Sequence, residues 1–428
     1  MNKNLSEFIE FLDNSPSCYH ATANLEKLIR EAGYTRLHEH EDWTLLPGEK
    51  YYMIRGGTTL IAFRIPKQMP LGFLMSASHV DRPTFKIKGE ADPKGGYTRV
   101  YTEGYGGMIM SSWLDRPLSV AGRVMVETED GVAFRLINID RDLLLIPNVA
   151  IHMNRQVNDG YKFNPAVDTL PLMGGKDAAG KFYELLDKEA GGKIMGRDLF
   201  LYVRQKASVW GVQEEYISSP ALDDLACAWS CTKAFLNAKD NDRMVPVLCA
   251  FDDEEVGSNS PQGAASTLLA DTLNRICNML ELNPYRMLAQ SFMVSADNAH
   301  AVHPNHPEFA DAFNAPVMGN GVVLKFNANQ RYTTDAVSAA IFRKICAKAD
   351  VNVQEYSNRP DIRGGSTLGH ISLTHVSVPT ADVGLPQLAM HSCYETIAAA
   401  DLTALETAMT EYYGTVLEVT SDGGCRIL

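Results

Sequence analysis

The chain has 428 residues, 45% of them hydrophobic and 21% charged, with a formal net charge of −13. That length allows a large core and more than one structural unit. A negative balance of this size excludes general binding to nucleic acid or to an anionic membrane, since both need a positive field. No apolar run approaches the roughly 18 residues of a membrane span, and the opening "MNKNLSEFIEFLDNS" lacks the apolar segment of a secretion signal. The eight cysteines form no CxxC pair and several lie within apolar runs, which predicts reduced thiols in a cytoplasmic protein.

In chain order, two helices are expected first. Asn4 caps one that gathers Phe8, Ile9 and Leu12, and the other gathers Ala21, Leu25, Leu28 and Ile29 before stopping at Gly33. "KYYMIRGGTTLIAFRI" and "LGFLMSASHVD" are strand patterns, the first turned by Gly-Gly, the second apolar on both faces. From 87 to 213 turn signals crowd in, and "RVMVETEDGVAFRLINI" predicts a hairpin about Asp130-Gly131; "DAAGKFYELLDKEA" is a short helical pattern. Beyond 214, "LACAWSCTKAFLNA", "MVPVLCAF", "PQGAASTLLADTLNRICNML" and "FMVSAD" alternate helix and strand. Ser260-Pro261 is expected to open the third of these. A final amphipathic helix is expected to be capped by Asp401, with Leu402, Leu405, Met409, Tyr412 and Val416 on its apolar stripe. The expected fold class is α/β. A mixed, largely parallel sheet sandwiched by helices is built from 1–86 and 214–428, and a β-rich domain over 87–213 is inserted in it.

Potential ligands sit at matching places along this pattern. His79 and Asp81 follow "FLMSAS", Glu254 and Glu255 follow "MVPVLCA", Asp297 follows "FMVSA" and His391 follows "LPQLAM", while Asp223 and Asp224 precede a helix. In open α/β sheets, sites gather at the carboxyl ends of strands and at helix starts, so five segments could converge on one crevice. Two imidazoles with surplus carboxylates and no evident thiolate suit Zn, Co or Mn. Crowded carboxylates repel one another unless cations neutralise them, and a pair of ions serves hydrolysis. Taken singly, each motif also has a plain explanation: a surface His-x-Asp, an N-cap, a solvated acidic turn "DDEE", a core histidine.

The chain resembles the aspartyl aminopeptidase family of dinuclear zinc metallopeptidases. The resemblance runs through "SPSCYHATANLEKLIREAGY", "WTLLPGEKYYMIRGGTTLIAF", "ASHVDRP", "SSWLDRPLSVAGRV", "IPNVAIHMNRQVN", "LDDLACAW", "FDDEEVGSNSPQGA", "SADNAHAVHPNHPE", "KFNANQRYTTDA", "GGSTLGHI" and "MHSCYE". It implies that His79 and Asp297 hold one divalent metal, Glu255 and His391 a second, and that Asp223 bridges them, with zinc the expected ion and cobalt or manganese the alternatives. It also implies Asp81 as the partner of His79, and Glu254 as general base toward a metal-bridging hydroxide. His152 would reach a neighbouring subunit's active site, Lys325 would meet an acidic substrate side chain, and the loop Arg363–His370, with Gly365 and Ser366, would face the substrate. His300, His303 and His306 receive no ligand role. Asp224 and Asp253 depart from the family pattern.

The activity so implied is removal of N-terminal residues, Asp or Glu first, from small peptides with a free amine. The alternatives are the same chemistry with a neutral or broad preference, or a non-catalytic assembly protein on this fold. The assembly implied is a homo-oligomer, a tetrahedral dodecamer built from dimers through the inserted domain.

Overall fold

The computed structural model describes residues 3–428 except Arg363 and Ser366, and for Asp92 its backbone alone. Helices α1 (Lys3–Asp13) and α2 (Cys18–Glu31) lead into strands β1 (Thr35–Arg36), β2 (Lys50–Arg55), β3 (Thr59–Arg64) and β4 (Gly72–His79). A β-rich stretch follows: β5 (Thr84–Lys94), β6 (Tyr97–Tyr105), β7 (Leu118–Thr128), β8 (Gly131–Asn138), α3 (Pro165–Asp168), β9 (Leu172–Gly175), α4 (Lys181–Ala190) and β10 (Ile194–Val203). Then come β11 (Ser208–Trp210), β12 (Tyr216–Ser219), α5 (Leu222–Asn237), β13 (Met244–Phe251), α6 (Leu268–Met279), α7 (Pro284–Ala289), β14 (Phe292–Ala296) and β15 (Ala299–His300). The chain closes with β16 (Val322–Phe326), α8 (Ala336–Lys348), β17 (Val353–Ser357), α9 (Leu368–Ser372), β18 (Thr380–Gly384), β19 (Pro386–Leu388), β20 (Glu395–Ala398), α10 (Ala399–Gly414), β21 (Leu417–Val419) and β22 (Cys425–Ile427).

Among the described residues the largest sheet has nine strands, ordered β1-β2-β3-β13-β4-β14-β18-β16-β17. Its central pairs β13–β4, β4–β14 and β14–β18 are parallel, while β3 and β16 join antiparallel on either side. The expected α/β class with a mixed, largely parallel sheet is borne out. A six-stranded antiparallel sheet, β8-β7-β10-β5-β6-β9, holds the stretch 84–203. A five-stranded sheet, β11-β12-β20-β19-β15, brings the chain after that stretch beside the segment that carries His391.

Alternation along the central strands explains the sandwich. Leu74, Leu248, Ala250 and Val294 face one core with α1, α2, α5, α8 and α10, whereas Phe73, Met75, Ala77, Val247, Cys249 and Met293 face a second core with α6 and α9. A strand buried on both faces has to be apolar at every position, because successive side chains point to opposite sides. A third core, including Phe85, Val120, Val124 and Phe182, belongs to the six-stranded sheet. None of the cysteines is paired among the described residues, and no helix is long and apolar enough to cross a membrane.

Three expected helix starts are corrected. Asn4 lies inside α1, where its amide donates to Glu406 Oε2 at 2.7 Å, rather than capping it. The helix expected from Pro261 begins at Leu268. Residues up to Ser266 turn instead, because Gly263 packs against the Ser258 backbone (a Cβ there would lie 2.1 Å from Ser258 O) and Ser266 Oγ donates to Gly263 O at 2.7 Å. Asp401 sits within the first turn of α10 and accepts from the backbone of Gly319 and Gly321 at 2.6 and 2.8 Å, so it ties a distant loop to the helix.

Helix α10 is pinned to the central sheet by Tyr412, whose buried hydroxyl lies 2.9 Å from both Met75 O on β4 and Phe292 O on β14 and donates to them. Tyr412→Phe removes that donor and nothing else. Denaturant unfolding is expected to show a loss of about 1–2 kcal/mol; unchanged stability would mean that the helix is held by packing alone.

Candidate metal centre

Strand register sets the site. In the parallel pairs, His79 stands opposite Phe251 and Ser295 opposite Ala77, so the segments after β4, β13 and β14 leave the sheet at one edge. Asp223 and Asp224 break helical geometry at the start of α5. Their carboxylates consequently separate, Asp224 Oδ2 accepting from His79 N–H at 3.2 Å while Asp223 faces two imidazoles. After β13, Asp253 (φ 59°), Gly257 (φ 94°) and Ser258 (φ 60°) turn the chain through a single 3₁₀ turn that carries Glu254 and Glu255.

Within this edge His79, Asp223 and Asp297 bring one ligand atom each within 4.8 Å of one another, and so do Asp223, Glu255 and His391; a third such group joins His79 to Glu254 and Glu255. Asp223 is common to the first two. Its Oδ1 lies 3.5 Å from His79 Nε2, and its Oδ2 lies 3.3 Å from His391 Nε2. Glu255 Oε2 is 3.4 Å from His391 Nε2. Ligands held about 2.0–2.1 Å from a tetrahedral zinc stand about 3.3 Å apart, so these spacings match the edges of such a polyhedron. Asp223 Oδ1 and Glu255 Oε1 are buried without a hydrogen bond, and buried carboxylate oxygens are rarely left so. The donor set therefore fits divalent metal ions of the zinc type.

Electrostatics agrees. Burial opposes charge on His79, yet the carboxylates of Asp223 and Asp81 beside its ring, with the Asp224 charge, raise it well above its usual value. Burial opposes charge on His391 as well, but Asp223 and Glu255 raise it to about 10. Asp223, despite burial, is held below the usual carboxylate range by the two imidazoles. Burial and the Asp223 charge push Glu255 up strongly; burial and the charges of Asp297 and Asp81 push Glu254 up to about 8, against the pull of His79. Protons thus balance the carboxylates wherever cations do not.

A ring of further groups orients the donors. Asp81 lies with Oδ1 3.3 Å from His79 Nδ1, and it accepts from the N–H of Glu254 (3.2 Å) and of Glu255 (3.1 Å). Glu395, four residues beyond His391 in "MHSCYE", belongs to this ring although no ligand spacing points to it. Its carboxylate, 2% exposed, accepts from His391 N at 2.7 Å and Asp223 N at 2.9 Å. Tyr105 and Gly107, from the six-stranded sheet and the chain just after it, reach the same centre. Asp253 accepts from Tyr105 at 2.8 Å, while Asp252 is buried and raised to about 8 by burial and by Asp81.

Other expected site residues stand outside the three ligand groups. Lys325 is 1% exposed, with its ammonium donating to Asp297 O (2.7 Å) and Asn298 O (3.3 Å) and facing the Tyr332 ring at 5.2 Å. It does not open toward a substrate side chain, because it is sealed beneath the segment that carries Asp297. Asp297 Oδ2 is 3.7 Å away, so the lysine offsets that carboxylate's charge. His152 is exposed in the turn closed by Met153 N–H on Ala150 O (2.8 Å) and belongs to none of the three ligand groups. Gly365 is exposed with open space about it, and Arg363 and Ser366 lie outside the described residues. His300 packs edgewise on Tyr356 (5.8 Å), and the rings of His303 and His306 lie 5.3 Å apart.

Residues 11–413 match the family model described as aminopeptidase I zinc metalloprotease (M18). A curated relative from Clostridium novyi, named probable M18 family aminopeptidase 2, is 40% identical over 419 residues, 92% of this chain and 95% of its own length. Among solved structures, the Ape4 chain of a complex with Nbr1 superposes with a TM-score of 0.92 at 36% identity, covering 96% of this chain and 85% of that one. The S. cerevisiae mApe1 dodecamer superposes with a TM-score of 0.84 at 26% identity, covering 95% of each chain.

With both imidazoles raised above their usual range, zinc titrated into metal-free protein at pH 7 is expected to release about two protons per chain from them alone. Calorimetry in buffers of unlike ionisation heat measures this. Affinity should rise with pH through the range in which His391, held up to about 10, gives up its proton. Binding without proton release would exclude these ligands.

Proposed function

The chain belongs to the M18 family of zinc aminopeptidases, and from that premise we propose that it removes N-terminal residues, Asp or Glu first, from small peptides at the centre around Asp223. It is a metalloaminopeptidase; the ion count, the residue roles and the substrate preference are our reading. The observation that carries it is Asp223, whose two oxygens face His79 and His391 from opposite sides, with Asp297 completing one set of donors and Glu255 the other.

His79 and Asp297 would hold one zinc, Glu255 and His391 would hold the other, and Asp223 would serve both; cobalt or manganese would suit the same donors. Zinc bound there supplies Lewis acidity, which acidifies a water and polarises a peptide carbonyl. Glu254 is the general base. Its backbone N–H is held by Asp81, and its carboxylate shares a donor group with His79 and Glu255. It takes a proton from the attacking water and passes it to the leaving amine. Asp81 keeps Nε2 of His79 turned to the metal by occupying Nδ1.

The acidic preference is supported by motif resemblance to aspartyl aminopeptidases. The burial of Lys325 favours a second reading, a neutral or broad N-terminal preference. One panel tests both, with Asp-, Glu-, Leu- and Ala-anilides assayed on the zinc-loaded wild type and on Glu254→Gln. The variant is expected to lose roughly 10²–10⁴-fold in kcat on every substrate while keeping its zinc. Full activity in the variant removes Glu254 from the mechanism, and Leu turnover far above Asp decides for the second reading.

For assembly, the reading is a cytoplasmic homo-oligomer, a dodecamer like the yeast relative, with 87–213 as a dimerisation domain and His152 acting in a neighbour's site. Exposed apolar side chains support this: Val132, Phe134 and Leu136 on β8, with Val149, Ile151 and Met153 beside His152. Oligomers reassembled from a mixture of His152→Ala and Glu254→Gln chains are expected to turn over faster than either alone, since mixed contacts pair an intact base with an intact histidine. No gain on mixing would place His152 in its own chain or outside the reaction.

A further inference from the structure

Between β6 and β7 the chain leaves the six-stranded sheet and crosses the rim of the metal centre. Tyr105, the last residue of β6, places its hydroxyl 2.8 Å from Asp81 Oδ2 and 2.8 Å from Asp253 Oδ1, donating to this pair. Burial and the nearby charges of Asp81, Asp252 and Asp253 raise the phenol strongly, so it keeps its proton and remains a donor. Gly106 (φ +73°) passes so close to the acidic turn that a Cβ there would lie 3.1 Å from Glu255 Cβ and 3.3 Å from Pro83 Cα. One residue on, Gly107 O lies 2.8 Å from His391 Nδ1 and accepts from it, and Ile109 N–H donates to His391 O at 2.9 Å. Ser112 closes the run: Oγ accepts from Cys393 N–H at 2.9 Å and its carbonyl accepts from Cys393 Sγ at 2.8 Å. Buried Trp113 then anchors the far end against Phe85, edge to face at 5.3 Å.

We propose that Tyr105–Trp113 is a strap through which the second sheet sets the metal affinity of the centre, with Tyr105 and Gly107 as its positioning residues. This rests on the reading that His79, Asp223, Glu255, Asp297 and His391 hold the metals. Tyr105 acts through Asp81, which accepts from the N–H groups of both Glu254 and Glu255 and lies against His79 Nδ1. Gly107 acts directly on a donor residue. An imidazole that donates from Nδ1 to a fixed carbonyl presents the lone pair of Nε2, and Nε2 is the atom of His391 that faces Asp223 and Glu255. Both halves of the centre, the acidic turn after β13 and the His391 loop, are therefore held by one short segment that neither half belongs to. Coupling of this kind is reciprocal, so the strap must be stabilised by metal to the extent that it favours metal binding.

Tyr105→Phe deletes the hydroxyl and keeps the ring that packs edgewise on Phe200 at 5.4 Å. In competition with a chromophoric chelator, the variant is expected to bind zinc about 10–100-fold more weakly than wild type. Its kcat on the preferred anilide should fall with KM unchanged, and excess zinc should restore kcat. Affinity within about twofold of wild type overturns the proposal. Phe200→Leu loosens the same ring without removing the hydroxyl; a loss equal to that of Tyr105→Phe would assign the effect to packing and overturn the strap's role. A measurement on wild type alone covers a variant that does not fold: amide exchange over 105–113 is expected to slow when metal-free protein is loaded with zinc. Unchanged exchange in a chain that binds zinc overturns the strap alone, whereas a wild-type chain that binds no zinc overturns the metal centre and the strap with it.

Discussion

Sharing of one buried carboxylate between two imidazoles governs the carboxyl edge of the central sheet. Asp223 is 3% exposed, with His79 on one oxygen and His391 on the other. Around it stand Asp81, Asp224, Asp297, Glu254, Glu255 and Glu395, a concentration of negative charge that a low-dielectric interior cannot hold unbalanced. Protons or metal ions must supply the balance. The two imidazoles are raised by the carboxylates beside them, and most of the carboxylates are raised by burial and by one another's charge.

The sheet makes this crowding possible. A parallel centre, apolar on both faces, discharges its chain ends at one edge, so the segments leaving β4, β13 and β14 meet there. Two cores of alternating residues hold those strands in register, and Tyr412 adds a polar tie from α10 to two of them. Precision at the edge is then added by carboxylates that accept backbone N–H groups. Asp81 holds the acidic turn, and Glu395 holds Asp223 and His391 together although 168 residues separate those two in the chain. Asp401 applies the same device away from the centre, where it ties the Gly319–Gly321 loop to α10.

Much of this was legible in the residues themselves. Strands such as "LGFLMSAS" and "MVPVLCAF" announce burial on both faces, and a His, Asp or Glu placed just beyond such a run has few positions to occupy other than the sheet edge. The run "FDDEEVGSNS" was harder to divide by reading alone. Four adjacent carboxylates carry no label, and only the positive φ values at Asp253, Gly257 and Ser258 show how the turn sends Glu254 and Glu255 toward His79 while Asp253 turns to Tyr105. Glu395 was invisible because a carboxylate that accepts backbone N–H groups leaves no spacing rule behind. The helix expected at Pro261 failed because Gly263 packs against the Ser258 backbone, a contact that helix-start signals do not record.

The sequence alone determined the α/β class, the alternation of helix and strand, and the residue types able to bind metal, because hydrophobic period and ligand chemistry are local properties of the chain. Tertiary structure decided which carboxylate each donor faces. It turned Lys325 inward to Asp297 and Asn298 instead of outward, and it carried Tyr105 and Gly107 from a second sheet to the rim of the first. Those outcomes depend on strand register and on close approach between segments far apart in the chain, and neither is encoded in the spacing of neighbouring residues.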